Sequence, residues 1–149
     1  MNKEYMLMAL GLAKMSLKSE DVPVGALVVL NGEIIGKGYN QREKLNDPTA
    51  HAEIVAIKEA ANKLGSWRLD DCELYVTLEP CPMCAGAIIN SRIKTVVFGA
   101  YEYKSGSCSA DSVVNLFNLP YNHTPEVYGG IMEEDCAKIL KEFFEKRRT

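Results

Sequence analysis

The chain lacks any apolar run long enough to cross a bilayer as a helix, which excludes a membrane-spanning helix. It also lacks a cationic excess. The formal net charge is −3, so a nucleic-acid partner would have to be met by a local patch and not by the molecule as a whole. There is no internal repeat, low-complexity tract or linker-like stretch, and 149 residues are expected to form one domain, 1–149, with a real hydrophobic core. A secretory leader is not expected either. Met6–Leu17 is apolar, but Lys14 interrupts it, Glu4 spoils a basic lead and no clear cleavage site follows. Met6, Leu10, Ala13 and Leu17 recur at helical spacing, which predicts an amphipathic helix. The cysteines number five, an odd count that includes a Cys-x-x-Cys pair; this disfavours a disulfide framework and favours reduced thiols in a cytoplasmic setting.

What is present reads as alternating strands and helices. Val22–Leu30 predicts a buried strand, Asn31-Gly32 a two-residue hairpin turn, and 33–39 the returning strand. A polar loop over 40–48 precedes a helix over 49–64, closed by Gly65. Further strands are expected at 72–78, 95–99 and 126–128. Helices are expected within 80–91 and over 131–148, with a short helical segment at 112–117. This order predicts an α/β three-layer sandwich, with helices on both faces of a mixed sheet of about five strands.

Two segments carry the chemistry: His51-Ala52-Glu53 and Pro80-Cys81-Pro82-Met83-Cys84. His51, Cys81 and Cys84 are ligands of zinc-binding type, and three protein ligands leave a tetrahedral position open for water, as catalytic zinc requires. The two cysteines are three apart and share one face of a helical turn. Helix N-termini favour thiolates, so two helix starts meeting would make a ready cation site. Glu53 must stay off the metal, because shuttling protons requires a free carboxylate. The competing readings are a closed structural site, with Cys72, Cys108, Cys136 or His123 as fourth ligand, and a redox pair. Neither accounts for Glu53. Cys72 and Cys136 are expected to be small core residues, and Cys108, in a polar loop, to be exposed.

The spacing His-x-Glu…Pro-Cys-x-x-Cys resembles that of the zinc-dependent nucleobase deaminases, and specifically the bacterial tRNA-specific adenosine deaminases of the cytidine deaminase-like superfamily. The likeness runs nearly end to end, through residues 21–26, 38–40, 46–53, 77–87, 92–93, 98–100 and 143–148. It implies one Zn2+ per chain held by His51, Cys81 and Cys84, with Glu53 as the catalytic proton shuttle. It further implies that Asn40 hydrogen-bonds a flipped base whose pocket Val24 and Ala26 line. Cytidine-type relatives commonly have Cys where this chain has His51.

The implied reaction is conversion of the wobble adenosine of a tRNA anticodon stem-loop to inosine, by a cytoplasmic homodimer. The alternative is a deaminase of a free base or nucleoside, of guanine, cytosine or cytidine type. Lys104, Asn122, Phe143 and Arg147 are the implied RNA contacts, with cations for phosphates and an aromatic for bases; a helix that buries its phenylalanines and ends in cations would explain the last two equally. The resemblance departs at Glu102, where the family often has Asp. The added methylene keeps the charge and shifts its reach toward substrate.

Overall fold

The computed structural model describes residues 1–112 and 114–147. Helix α1 (Lys3–Leu17) leads into strands β1 (Gly25–Leu30) and β2 (Glu33–Tyr39), a short helix α2 (Arg42–Leu45) and helix α3 (Ala52–Leu64). Strand β3 (Glu73–Leu78), helix α4 (Pro82–Ser91), strand β4 (Thr95–Ala100), a 3-10 turn (Leu116–Asn118), strand β5 (Glu126–Tyr128) and helix α5 (Glu133–Arg147) follow. The five strands form one sheet in the order β2-β1-β3-β4-β5. Strand β1 is antiparallel to both neighbours, and the β3–β4 and β4–β5 pairs are parallel.

The layers follow from the two-residue period of the strands. Val28, Val76, Val96 and Phe98 point to one face and pack on Ala56, Ala60 and Ile88 of α3 and α4. The alternate residues Leu27, Val29, Tyr75 and Val97 point to the other face and meet Met6, Ala9 and Leu10 of α1 and Cys136 of α5. This is the expected three-layer α/β/α sandwich. Asn31 and Gly32 both take positive φ, 50° and 79°, which a tight hairpin turn of the primed kind needs.

Two expectations change. The loop over 40–48 contains the one-turn helix α2. The helical segment expected at 112–117 is instead the 3-10 turn at Leu116–Asn118; Val113 lies outside the described residues, as does Arg148, the last residue of the helix expected over 131–148. This stretch is rich in Ser and Asn, whose side chains compete for backbone partners, as Asn115 does by accepting from the Phe117 N–H at 3.1 Å.

Strand β2 presents Gly36 and Gly38 to α3, and this close approach sets where α3 begins. A Cβ on Gly38 would collide with the Ala52 carbonyl oxygen and stand 2.7 Å from the Ala56 nitrogen. Gly38→Ala is therefore expected to destabilise the fold by about 2–3 kcal/mol, the scale of overpacking against backbone that cannot yield. Urea unfolding checks this. A loss below about 0.5 kcal/mol would show that α3 shifts freely.

Candidate active site

All the functional elements converge on one end of the sheet. Because β3 and β4 run parallel, their carboxyl ends, Leu78 and Ala100, lie side by side. Antiparallel β1 brings its amino end to the same place, with Gly25 opposite Tyr39 at the carboxyl end of β2. Ligand sites in α/β sheets collect beyond such ends.

Here α3 and α4 also begin. His51 is the N-cap of α3, and its backbone is extended (φ −72°, ψ 152°). Cys81 is the N-cap of α4, Pro82 follows at the first helical position, and Cys84 lies in the first turn. The expected helix start at 49 moves to Ala52, which puts His51 before the helix instead of in its first turn. A neighbouring side chain does the capping: Ala52 N–H donates to Asn40 Oδ1 at 2.8 Å.

The three ligand candidates meet. Cys81 Sγ and Cys84 Sγ stand 3.7 Å and 3.6 Å from His51 Nδ1. Tetrahedral zinc, with bonds of about 2.3 Å to sulfur and 2.0–2.1 Å to nitrogen, spaces such atoms about 3.5 Å apart, so the donor set fits that ion. Among the described residues no fourth His, Cys or carboxylate joins the group. The closed site with Cys72, Cys108, Cys136 or His123 is thereby overturned, and His123 is instead bonded to the Ile93 carbonyl through Nε2 at 2.6 Å.

The electrostatics suit a cation. The hydrogen bond from Cys84 lowers the Cys81 thiol to about 4, against the opposing pull of burial, and the same bond raises Cys84. His51 is raised, chiefly by its hydrogen bond with Cys81. Glu53 is 4% exposed, and burial pushes its carboxyl up to about 7. It lies outside the ligand group, facing the same cavity.

That cavity has a volume of ≈ 140 Å³, and its walls include Val24, Asn40, His51, Glu53, Cys81 and Glu102. It is smaller than the about 300–1,000 Å³ of ordinary small-molecule pockets, and suits a flat base better than a whole nucleotide. Arg42 at its edge is ion-paired with the buried Asp21 at 2.9 Å, which ties the loop before α3 to the segment before β1. Burial alone would raise Asp21, but the Glu43 N–H and the Arg42 guanidinium outweigh it and hold the carboxyl below its usual range.

Three sequence expectations need correcting. Ala26 is fully buried in the core beneath α3 and is not part of the cavity wall, because it is one pleat further along β1 than Val24. Phe143 is 9% exposed, with the Arg147 guanidinium over its ring at 4.8 Å; the ring that reaches the surface is that of Phe144, at 45% exposure. Cys108 is buried at 2% exposure, because the polar loop around it folds inward. Cys72 and Cys136 are core residues as expected, and burial pushes their thiols up to about 11 and about 12. Lys104 and Asn122 are exposed, and the Lys104 N–H donates to Glu102 Oε1 at 2.9 Å.

Glu79 lies within the likeness over residues 77–87, where no role is read for it from the sequence. Its carboxylate is buried at 3% exposure and reaches residues 23 to 33 positions away. An acidic residue between a strand and a proline was the only signal available.

The chain is similar to known proteins over nearly its whole length. The MafB19-like deaminase family matches residues 1–148. A tRNA-specific adenosine deaminase of Bacillus subtilis (strain 168) is 47% identical over 144 residues, covering 97% of this chain and 89% of that one. One of Aquifex aeolicus (strain VF5) is 46% identical over 150 residues, covering 100% and 98%. A solved structure from studies of A-to-I editing by tRNA:A34 deaminases at the wobble position of transfer RNA superposes with a TM-score of 0.89 at 43% identity, covering 93% of this chain and 100% of that one. With its fold, its His-Cys-Cys group and this likeness over nearly its whole length, the chain belongs to the MafB19-like deaminase family, alongside the tRNA-specific adenosine deaminases.

Proposed function

We propose that this protein hydrolyses the wobble adenosine of a tRNA anticodon loop to inosine, with one zinc ion held by His51, Cys81 and Cys84. The observation that carries the reading is the separate, buried Glu53 carboxylate sharing a base-sized cavity with the three ligand atoms. Bound zinc lowers the pKa of water to about 7, so a nucleophile is available at neutral pH.

Glu53 manages the protons. It takes one from the attacking water and delivers it to N1 of the ring as the C6–O bond forms. It then takes the proton of the new C6 hydroxyl and passes it to the exocyclic nitrogen, so that C6=O forms as the C6–N6 bond breaks and ammonia departs. Burial matches the carboxyl to this double duty by moving its pKa toward neutrality.

Asn40 is held by its bond to α3, and its amide nitrogen has no hydrogen-bond partner among the described residues, so it is free to donate to the base. Val24 supplies an apolar wall. A base must leave its stack to enter so small a cavity, which an unpaired loop permits cheaply. Glu102 lines the cavity and also a second surface depression with Lys104, where Tyr103 (74% exposed) and Phe144 offer rings in place of the buried Phe143. The exposed Arg147 and Asn122 serve as contacts to the RNA backbone. The working form is a cytoplasmic homodimer.

The test is inosine formation on a transcribed tRNA with adenosine at the wobble position, with and without chelator, beside free adenosine, guanine and cytosine. Chelator-sensitive inosine in tRNA alone is expected. Ammonia from a free base with tRNA untouched would move the protein to the small-molecule deaminases, a reading that the size of the cavity also accommodates.

A further inference from the structure

Glu79 directly follows β3 and stands two residues before the ligand Cys81. Its carboxylate accepts five hydrogen bonds. Oε1 takes the Glu102 N–H at 3.1 Å. Oε2 takes the N–H groups of Cys108 and Ser109 at 3.1 Å each, the Ser109 hydroxyl at 3.1 Å and the Ser112 hydroxyl at 2.6 Å. A Cβ on Gly106 would overlap this carboxylate, so the loop has a glycine where it presses onto the acid. The Ser107 N–H donates to the Pro80 carbonyl at 3.0 Å, a second tie between the loop and the ligand-bearing turn. Glu79, Glu102 and Ser105 all line the catalytic cavity.

We infer that Glu79 is a positioning residue for the substrate: its carboxylate clamps the loop over 101–112, and so fixes the wall on which Glu102 and Ser105 meet the base. Resting on the deaminase reading above, the inference assigns this wall to substrate selection. A buried carboxylate surrounded by N–H and O–H donors has no conformational slack. The donors come from four residues of the loop, and all of them lose their acceptor if the acid is removed. Glutamine cannot replace it. An amide has a single oxygen, and its NH2 would face donors on one side whichever way it turns.

The experiment uses the zinc-loaded full chain and the Glu79→Gln variant, with zinc content measured for each. Deuterium exchange at the amides of Glu102, Cys108 and Ser109 reads the clamp directly. Deamination of an anticodon stem-loop, normalised to bound zinc, reads the wall. Glu79→Gln is expected to exchange faster at these three amides and to raise KM roughly 10- to 100-fold, the scale of buried donors left unpaired, with kcat per zinc changed by less.

A role confined to folding would reduce the loaded fraction and leave KM alone. KM within about twofold of wild type, or exchange unchanged at the three amides, overturns the inference. If Glu79→Gln does not fold, Ser112→Ala removes the shortest bond and keeps the carboxylate; it must raise KM about threefold or more, and an unchanged KM again overturns the inference. Wild type is assayed first. Its failure on the stem-loop defeats the activity reading alone, and amide exchange then decides the case of Glu79.

Discussion

Glu53→Gln is expected to reduce turnover about 10⁴-fold, the upper end of what one positioned acid–base group supplies, while zinc content, fold and stem-loop affinity stay near wild type. The carboxylate is outside the ligand group, so its loss does not open the metal site. Glutamine has nearly the same volume, so the buried position at the start of α3 stays filled. What disappears is the ability to accept a proton. Water cannot be deprotonated in place, and ammonia cannot be protonated as it leaves. Single-turnover inosine formation beside zinc analysis and stem-loop binding checks this. Residual activity above about 1% would assign the proton transfers to another group. Loss of zinc would instead make Glu53 a ligand.

Cys84→Ser is expected to act through the metal. Cys84 is fully buried in the first turn of α4, 3.6 Å from His51 Nδ1, and serine offers a shorter, harder donor that stays protonated. Zinc affinity is expected to fall by at least about a hundredfold, more than the 10–100-fold cost of losing a residue that merely orients a ligand, and activity with it. Stability follows by linkage. Zinc at about 1,000 times its Kd adds about 4 kcal/mol to a fold that binds it. For a chain of this size that raises Tm by roughly 8–16 °C. Wild type should show this difference between zinc-loaded and chelated protein, and Cys84→Ser should lose it. Stoichiometric zinc in the variant, with the shift intact, would rule out this ligand set.

Much of the site is legible in the chain because its signals are local. His51 and Glu53 are two apart, Cys81 and Cys84 three apart, and short spacing at two helix starts brings such side chains to one place. The strand and helix order is legible for the same reason: alternating apolar residues such as Leu27 and Val28 report two covered faces of a sheet. The errors fall where burial depends on distant partners. Serine, glycine and asparagine around Cys108 read as surface, yet Glu79 draws that loop inward across 29 positions of sequence. Phe143 and Phe144 are adjacent and identical in type, and only the way α5 lies on the sheet decides which ring is covered. Asn40 reads as a turn residue or a base contact. The fold makes it the cap of a helix 12 positions away, which holds its amide in place.

By itself the sequence determined the layer architecture, the three candidate zinc ligands and the acid beside them, since each is specified by residues a few positions apart and by the periodicity of the backbone. The tertiary structure alone decided the strand order, which of the near-equivalent side chains faces the cavity, and the clamp by which Glu79 shapes its wall. Those depend on pairings over 20 or more positions, such as the Glu102 N–H to Glu79, 23 residues apart, whose energies belong to the packed state and leave no local pattern in the chain.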